Sequence, residues 1–457
     1  MGPVPALALC LWALGQLAAA LGQQECGSVW LTVSSLWHAA ADDVRGVTER
    51  ELEFNWDPSC PPEWVLLFDH EPPAQIGDPN DEAGRGAAGV LARAWPGEHP
   101  DGFARTNVSA GRPALPGGWE RGGRPTPAPG DHCLGFWAGA YRAGRRLHAD
   151  CLKIRPTWMW DHRQQLGQLP LASLFLPGTH NSGCYHKSGG LTRRDTFARY
   201  LLTQDTDVWG QLVHGIRYLD LRVGYYPARG KGPPGQHHAS RFSVNHDLLR
   251  VGPLLPVLHD LKRFLNASRG EVVVLDLHRF PVGFHTRQGR HRKLVSLLVR
   301  ELGPFIIPST AASPTSTLAQ IWSRERRLII TYGDKAVARE SKWLWGPINQ
   351  MWGNQQTPGG LKNFLQRTMD TARPRSDEPQ LWAAMAELTP TPLEVMFKPS
   401  GSLRQMADSI NRNVTTWFKT MWWQKANIVA TDFFLGNDLI NVAVAANLRK
   451  MNLVEAR

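Results

Sequence analysis

The sequence predicts an α/β protein in two parts, a distorted (β/α)₈ barrel of the TIM type preceded by a smaller β-sandwich. Two observations lead to this prediction. Short β-type runs separated by Pro and Gly clusters fill the chain up to about residue 152, and apolar strands alternate with helix-like stretches from about residue 160 onward. The first pattern is typical of sandwiches and the second of parallel sheets. We therefore predict one domain over residues 23–152 and a barrel domain over residues 160–457.

The barrel prediction depends on seven apolar runs with helix-like stretches between several of them. The length, about 300 residues, fits a barrel of this kind, which takes about 250 residues or more. The predicted strands are Leu171–Leu176, Ile216–Val223, Phe242–Val244, Val272–Leu277, Leu328–Tyr332, Leu381–Leu388 and Ile428–Phe433. The predicted helices are Arg194–Val213, Gly252–Leu265, Arg290–Leu302, Thr317–Arg326 and Leu403–Gln424.

The amino-terminal part carries short β-type runs and most of the cysteines. The runs are Val29–Val33, Glu51–Trp56, Trp64–Phe68 and Cys133–Tyr141. The cysteines that precede the barrel are Cys26, Cys60, Cys133 and Cys151, and we expect at least one disulfide among them. Three pairings are open, and Cys184 is then either free or the partner of one of these four.

Residues 1–22 indicate a secretory signal peptide. Ala6 to Leu21 are almost wholly apolar, and Ala18 to Ala20 offer a small-residue cleavage site. An uncleaved membrane anchor is the alternative. The cysteine usage and three Asn-X-Ser/Thr sequons, at Asn107, Asn266 and Asn413, fit a secreted glycoprotein. We find no other stretch long and apolar enough to span a bilayer.

The formal charge of +11 suits a polyanionic partner such as a phospholipid head group. We find no Lys/Arg run of the kind that forms a nucleic-acid tail, so nucleic acid is not an expected partner. The clusters of Lys and Arg in the sequence are more simply interpreted as solvent-exposed faces. Among the 19 Trp residues, Trp343, Trp345 and Trp352 form one group and Trp417, Trp422 and Trp423 another. Exposed Trp residues suit a membrane surface, and burial in the barrel is the alternative.

Polar residues cluster where the predicted strands end. They include two His, an Arg and two Asp, and in a barrel such residues meet at the carboxyl-terminal face, where active sites lie. The segments are Pro177-Gly-Thr-His-Asn-Ser182, Tyr218-Leu-Asp-Leu-Arg-Val223, Asn245-His-Asp247, Asp276-Leu-His-Arg279 and Ala430-Thr-Asp-Phe-Phe434.

Three of these motifs resemble the X domain of the phosphatidylinositol-specific phospholipases C. They are Leu176-Pro-Gly-Thr-His-Asn-Ser182, Gly215-Ile-Arg-Tyr-Leu-Asp-Leu-Arg222 and Glu271-Val-Val-Val-Leu-Asp-Leu-His278, in the family's order and at similar separations. The resemblance covers about residues 160–448. It implies a phosphodiesterase that cleaves an inositol phospholipid at a membrane surface into diacylglycerol and inositol 1,2-cyclic phosphate.

The resemblance also implies a role for each catalytic residue. His180 matches the general base that takes a proton from the inositol 2-hydroxyl, and Asp432 matches the acid that orients it. His246 matches the general acid for the departing diacylglycerol oxygen. Arg222 matches the cation that stabilises the charged phosphoryl oxygens. Asn181, Asp220 and His278 are expected to contact the substrate, although Asp220 and His278 could equally belong to the scaffold.

Arg222 predicts a site without metal or other cofactor. Calcium-dependent members place a carboxylate at this position, so a hard cation would lose an oxygen ligand here. Asn181 matches the calcium-dependent members and keeps a calcium-bound variant open. We also expect Asp247, which follows His246 where many members have Gly, to raise the pKa of His246.

Two other functions stay open at this point. Asn181 and the His246-Asp247 pair fit a module that binds inositol lipids or phospho-ligands and turns them over poorly. A glycerophosphodiesterase or a sphingomyelinase D relative would share the fold, but such enzymes use a metal-binding acidic pair, which Arg222 disfavours.

Overall fold

The computed structural model describes residues 26–36, 38–39, 48–77, 89–123, 126–185, 197–227, 241–285, 287–371, 379–397 and 401–455. In their described parts, residues up to Thr32, Leu52–Val108 and Gly135–Leu152 form one compact unit. Val33–Glu51, Ser109–Leu134 and Lys153–Arg457 form the other. The predicted signal peptide lies outside the described residues. The predicted domain boundaries, 23–152 and 160–457, stay a prediction.

Short strands dominate the chain before residue 155. In chain order they are β1 (Val29–Val33), β2 (His38–Ala39), β3 (Thr48–Glu49), β4 (Glu51–Trp56), β5 (Trp64–Phe68), β6 (Val90–Ala94), β7 (Phe103–Ser109), β8 (His132–Arg142) and β9 (Arg145–Ile154). All four predicted runs are thereby confirmed as strands. The sheets are β1-β4-β7, β6-β5-β8-β9 and the two-stranded β2-β3. The face-to-face packing that a sandwich requires stays a prediction.

The prediction of at least one disulfide among the first four cysteines after the predicted signal peptide is confirmed. Cys26 and Cys60 form a disulfide, and Cys133 and Cys151 are disulfide-bonded as well. Cys184 is free and buried. Among the described residues, we find no helix that is both long and apolar enough to cross a bilayer.

Strands and helices alternate from residue 158 onward. The strands are β10 (Leu176–Thr179), β11 (Tyr218–Tyr225), β12 (Phe242–His246), β13 (Leu249–Pro253), β14 (Val273–Arg279), β15 (Leu328–Tyr332), β16 (Asn349–Met351), β17 (Trp382–Met385) and β18 (Ile428–Thr431). The helices are α1 (Trp158–Asp161), α2 (Arg163–Leu166), α3 (Val208–His214), α4 (Leu254–Ala267), α5 (Gln288–Leu302), α6 (Leu318–Trp322), α7 (Lys335–Glu340), α8 (Pro358–Thr371), α9 (Pro392–Phe397), α10 (Leu403–Trp417) and α11 (Leu439–Glu455).

Seven of these strands form one parallel sheet in the order β16-β17-β18-β10-β11-β14-β15. Beyond β15 the parallel pairing continues as a single bridge between Thr331 and Trp345. The mixed α/β architecture is confirmed, and closure into a complete eight-stranded barrel stays a prediction. The parallel order directs all seven carboxyl ends to the same edge of the sheet.

Two predicted strands differ from the observed ones. The first begins at Leu176, because the apolar run from Leu171 to Ser173 forms a 3₁₀ turn. The carbonyls of Leu171 and Leu174 accept hydrogen bonds from the Asn427 amide, at 3.0 and 2.9 Å, which replaces strand pairing there. The third predicted strand is β12, which runs antiparallel to β11 and pairs with β13 in a hairpin.

Two further elements depart from the predicted pattern. Of the predicted helix Arg194–Val213, residues 194–196 lie outside the described residues, and the regular α-helix is only α3, which begins after the capping carboxylate of Asp207. Strand β16 was missed, because its Asn-Gln-Met sequence carries little apolar signal. The Trp residues of the two groups differ in exposure. Trp345, Trp417 and Trp422 are buried, and Trp352 is 47% exposed.

Candidate active site

The centre of the site is a His–Asp pair at the ends of two adjacent strands. Strands β10 and β18 pair in register up to Thr179 and Thr431. The next residues are His180 and Asp432, and the His180 backbone N–H donates to the Thr431 carbonyl at 3.0 Å. The same register brings His180 Nδ1 to 2.8 Å from an Asp432 carboxylate oxygen.

The contact with Asp432 fixes which nitrogen of His180 can react. A carboxylate accepts hydrogen bonds, so Nδ1 carries the proton and Nε2 is left to face the site. Burial lowers the pKa of His180, but the charges of Asp432 and Glu387 and the Asp432 hydrogen bond outweigh it and raise the pKa to about 9. His180 is therefore a strong base in a nearly closed environment.

Arg222 lies beside Nε2 of His180, the ring nitrogen that does not contact Asp432. Its Nη2 is 3.4 Å from His180 Nε2, and its guanidinium also forms an ion pair with Asp247. The pairing of β11 with β14 shifts register between Leu221 and Arg222. Such a bulge re-aims the side chain that follows it, which accounts for an Arg that turns from the strand into the site.

His246 lies across the site from His180, with the two ring centroids 6.4 Å apart and the rings nearly perpendicular. Its Nδ1 lies 2.7 Å from the Leu201 carbonyl, which can only accept, so the proton is on Nδ1 and Nε2 faces outward. Burial is the main cause that lowers the pKa of His246, helped by the charges of His180 and Arg222. The charge of Asp247 does raise this pKa, as expected, but burial and the charges of His180 and Arg222 outweigh it, and the Asp247 carboxylate pairs with Arg222.

Asp220 and His278 form a second polar group next to the pair. Asp220 accepts from the Asn181 backbone N–H at 2.9 Å and from the Gln350 amide at 3.2 Å. Its carboxylate lies 2.5 Å from His278 Nδ1, a close ion pair without good hydrogen-bond alignment. Burial would raise the pKa of Asp220, but the charge and contact of His278 hold it well below its usual range.

Asp220, Asp276 and His278 could together hold a cation, because their ligand atoms lie within 4.8 Å of one another. The Asp276 carboxylate, however, already accepts from the hydroxyls of Tyr218 and Thr331, both at 2.7 Å, and from Gln350 at 3.0 Å. The protein's own donors and His278 therefore satisfy the oxygens that a cation would take. The donor set does not fit a resident metal well.

Two buried polar side chains that face this region have no partner among the described residues. They are the amide of Asn181, whose backbone is left-handed with a φ of 42°, and both carboxylate oxygens of Glu387. Burial raises the pKa of Glu387 to about 7, against the opposing charge of His180. Unsatisfied buried groups are costly, so this pair marks where a polar ligand would find partners.

The structure brings together His180, Asp432, Arg222 and His246, with Asn181, Asp220 and His278 beside them, as the sequence predicts. The catalytic and binding roles of all seven stay predictions. Sequence reasoning missed Glu387 and Gln350. A signal existed for Glu387, because it is the one charged residue within the apolar run predicted as the strand Leu381–Leu388. For Gln350 we find no such signal.

Comparisons with known proteins bear on the family. No family model matches the chain. It is 25% identical to "PI-PLC X domain-containing protein 1" of Mus musculus over 318 residues, which are 65% of this chain and 87% of that protein. It is equally 25% identical to the Homo sapiens protein of the same description over 337 residues, 69% of this chain and 98% of that one. The predicted resemblance to the X-domain family is confirmed.

The chain is also similar to proteins described as phospholipases C. The "Variant-surface-glycoprotein phospholipase C" of Trypanosoma brucei brucei is 27% identical over 238 residues, 47% of this chain and 63% of that one. Among solved structures, a phosphatidylinositol-specific phospholipase C mutant from Staphylococcus aureus has a TM-score of 0.48 at 15% identity, covering 64% of this chain and 97% of that one. The Listeria monocytogenes enzyme has a TM-score of 0.46 at 18% identity, covering 64% and 98%.

The raised pKa of Glu387 predicts a pH-dependent stability. A carboxyl whose folded-state pKa is raised stabilises the fold fully below its unfolded pKa, near 4.5, and that contribution is lost as the pH rises through about 7. Between pH 4.5 and 7, this group should lower the unfolding free energy of the wild type by up to about 3 kcal/mol. We expect Glu387→Gln to abolish that decrease. Denaturant titrations at several pH values measure it.

The control for this variant is Glu301→Gln, since Glu301 contacts His259 and Lys262 of α4 and not the site. Its stability should follow the pH dependence of the wild type. If Glu387→Gln shows the same slope as the wild type between pH 4.5 and 7, the carboxyl does not titrate as described.

Proposed function

We propose that this protein is a secreted phospholipase C-type phosphodiesterase that cleaves phosphatidylinositol-type lipids into diacylglycerol and inositol 1,2-cyclic phosphate. The observation that supports it best is the 2.8 Å His180–Asp432 contact, with Arg222 beside the free nitrogen of His180 and a second imidazole across the site. A base held by a carboxylate, a fixed cation and a second imidazole are what phosphoryl transfer to an internal hydroxyl requires.

The reaction begins at the inositol 2-hydroxyl. His180 Nε2 takes the hydroxyl proton while the oxygen attacks the phosphorus, and Asp432 stabilises the imidazolium that forms. His246 Nε2 donates a proton to the glycerol oxygen as its bond to phosphorus breaks. Arg222 stabilises the negative charge on the phosphoryl oxygens, for which its planar fork is suited.

In the free protein the two imidazoles have the protonation states opposite to those that the proposed reaction requires. At neutral pH, His180, with a pKa of about 9, is protonated, and His246, with a lowered pKa, is neutral. The small fraction of protein molecules with a neutral His180 and a protonated His246 then carries the reaction. The pH dependence of turnover keeps its bell shape. The bound phosphodiester favours proton uptake by His246, because its negative charge lies close to that ring.

The test of the function is release of inositol cyclic phosphate from phosphatidylinositol vesicles by the wild type and two variants. His180→Ala should lower turnover by about 10²–10⁴-fold, because the base is lost. His246→Ala should lower turnover similarly, but its rate should recover with an inositol phosphodiester whose aryl leaving group needs no protonation. Unaltered turnover in His180→Ala contradicts the assignment.

A weakly active binding module is the alternative, and the Arg222–Asp247 ion pair favours it, because phosphate must compete with Asp247 for Arg222. In that case vesicles bind and no cyclic phosphate is released. Asp247→Asn distinguishes the two readings, since relief of this competition raises turnover in an enzyme and raises only affinity in a binding module.

We propose that the reaction needs no metal ion. Arg222 supplies positive charge at the phosphate, and donors of the chain satisfy the Asp220 and Asp276 oxygens. Turnover should therefore survive EGTA, and Arg222→Ala should lower kcat/KM by about 10²–10³-fold, the size seen when a fixed oxyanion donor is lost. Arg222→Lys serves as the charge-matched control. If chelation abolishes turnover and calcium restores it, Asn181 and Asp220 become the candidate ligands.

The partner we propose is a membrane surface, and the apolar side chains around the site support it. In the described part of the second unit, five of the seven exposed large apolar residues follow carboxyl ends of β12, β16 or β17. They are Leu248, Leu249, Trp352, Leu393 and Met396, with Met421 and Leu453 elsewhere. Exposed apolar side chains that follow the strands of the proposed site suit contact with a bilayer interface.

The double variant Leu393→Ser/Met396→Ser should weaken binding to phosphatidylinositol vesicles several-fold, because both side chains are about 70% exposed and would lose their insertion into lipid. Vesicle sedimentation measures the bound fraction. The matched control is Met421→Ser/Leu453→Ser, which removes exposed apolar groups away from the strand ends. Equal binding by the two double variants contradicts a docking role for α9.

A further inference from the structure

Residues 201–205 have neither helical nor strand structure, yet most of them are buried. Leu202, Thr203 and Gln204 are all less than 10% exposed. A buried irregular segment has to place its polar groups on specific partners. The partners of this segment, which we call the strap, lie on both sides of the active site.

Gln204 joins the two strands that carry the His–Asp pair. Its side-chain amide donates to the carbonyls of His180 and Thr431, both at 2.9 Å. An amide group has two hydrogens, so both are used in these bonds. The last backbone bond between the strands runs from the His180 N–H to the Thr431 carbonyl. Gln204 therefore continues the connection between β10 and β18 at the point where their side chains meet.

The rest of the strap contacts the neighbours of the same pair and the second imidazole. The Thr203 hydroxyl donates to the Asn181 carbonyl at 3.0 Å, and the Thr203 carbonyl accepts from the Phe433 N–H at 2.8 Å. The Leu201 carbonyl, 2.7 Å from His246 Nδ1, fixes the tautomer of His246. A single five-residue segment thus contacts both proposed catalytic histidines.

Asp205 anchors the strap between two arginines. Its carboxylate accepts from Arg50 at 2.6 Å and forms a second ion pair with Arg404. Burial would raise the pKa of Asp205, but the two guanidinium charges outweigh it and lower the pKa. Arg404 also donates to the Ser35 carbonyl at 3.1 Å. Residues that precede the barrel in sequence, Ser35 and Arg50, therefore belong to the support of the strap.

We infer that residues 201–205 are a positioning element for the active site, in which Gln204 fixes the separation of His180 and Asp432 and Asp205 holds the strap in place. The inference rests on the proposed function only for its effect on turnover. Gln204 touches no reacting atom, so it is a positioning residue. Its loss should loosen the His180–Asp432 contact while the residues that bind substrate stay in place.

The test replaces Gln204 with Met, which keeps the length of the side chain and removes both donors. The matched control is Asn427→Leu, since the Asn427 amide also donates to two backbone carbonyls, at the opposite end of β18. Histidine titrations by NMR on the full chain are the readout. Gln204→Met should lower the titration midpoint of His180 by about one pH unit, because less of the Asp432 charge reaches the ring. Asn427→Leu should leave the midpoint unchanged.

Turnover on phosphatidylinositol vesicles gives a second readout. We expect Gln204→Met to lower kcat by about 10-fold or more with KM changed less than about 2-fold, as for a misplaced catalytic group. If the wild type releases no cyclic phosphate but the His180 titration still moves, the strap stands and the proposed function fails. If Gln204→Met and Asn427→Leu titrate alike, the strap inference is wrong.

A second pair of variants keeps the inference testable if Gln204→Met does not fold. Asp205→Asn weakens the anchor. Asp260→Asn removes a comparably buried carboxylate, which lies on α4 and pairs with Arg121. Both variants should lose stability, and Asp205→Asn alone should shift the His180 titration. Equal titration curves in these two variants would overturn the role of Asp205.

Discussion

The hydrogen bond between His180 and Asp432 is the contact on which the rest of the site depends, and the register of β10 against β18 determines it. The paired strands end together at Thr179 and Thr431, so the next side chain of each strand meets the other at 2.8 Å. A shift of one residue would turn one of the two side chains to the other face of the sheet. The geometry of the pair is thus a property of the sheet, and the bonds from Gln204 reinforce it where regular pairing stops.

Burial sets the electrostatics of the remaining site. Asp220 and Asp276 lie in the interior with their oxygens bonded to donors of the chain, so their charge is compensated locally. Arg222 is compensated by the exposed Asp247, which a ligand in contact with solvent can displace. Among the described residues, the side chains of Asn181 and Glu387 have no hydrogen-bond partner. The site therefore combines buried carboxylates, whose bonds fix its geometry, with two buried side chains that could still bind a polar ligand.

Site residues at the ends of strands could be predicted from the sequence more reliably than the residues and strand pairings around them. His180, Arg222 and Asp432 could be placed because they lie at or near the ends of apolar strands, and parallel strands bring their carboxyl ends to the same edge. The hairpin of β12 and β13 was not predicted, because an apolar run does not reveal whether its strand pairs parallel or antiparallel. Gln204 and Gln350 were missed because their roles depend on contacts distant in sequence, with His180 and Thr431 for the first and with Asp220 and Asp276 for the second. The net lowering of the His246 pKa could not be predicted, because the sequence adjacency of Asp247 reveals neither the burial of His246 nor the nearby charge of Arg222.

The opposite protonation states of the two imidazoles follow from this arrangement. His180 touches a carboxylate and keeps its proton, whereas His246 touches a neutral carbonyl and faces the charges of His180 and Arg222. An anionic ligand between them changes the balance, because it offsets Arg222 and stabilises a proton on His246. Transfer of the His180 proton to solvent would then leave one base and one acid in the order that the proposed reaction needs. In the proposed reaction a neutral ligand would leave His246 unprotonated, so the charge of the proposed phosphodiester substrate would contribute to its selection as well as to its binding.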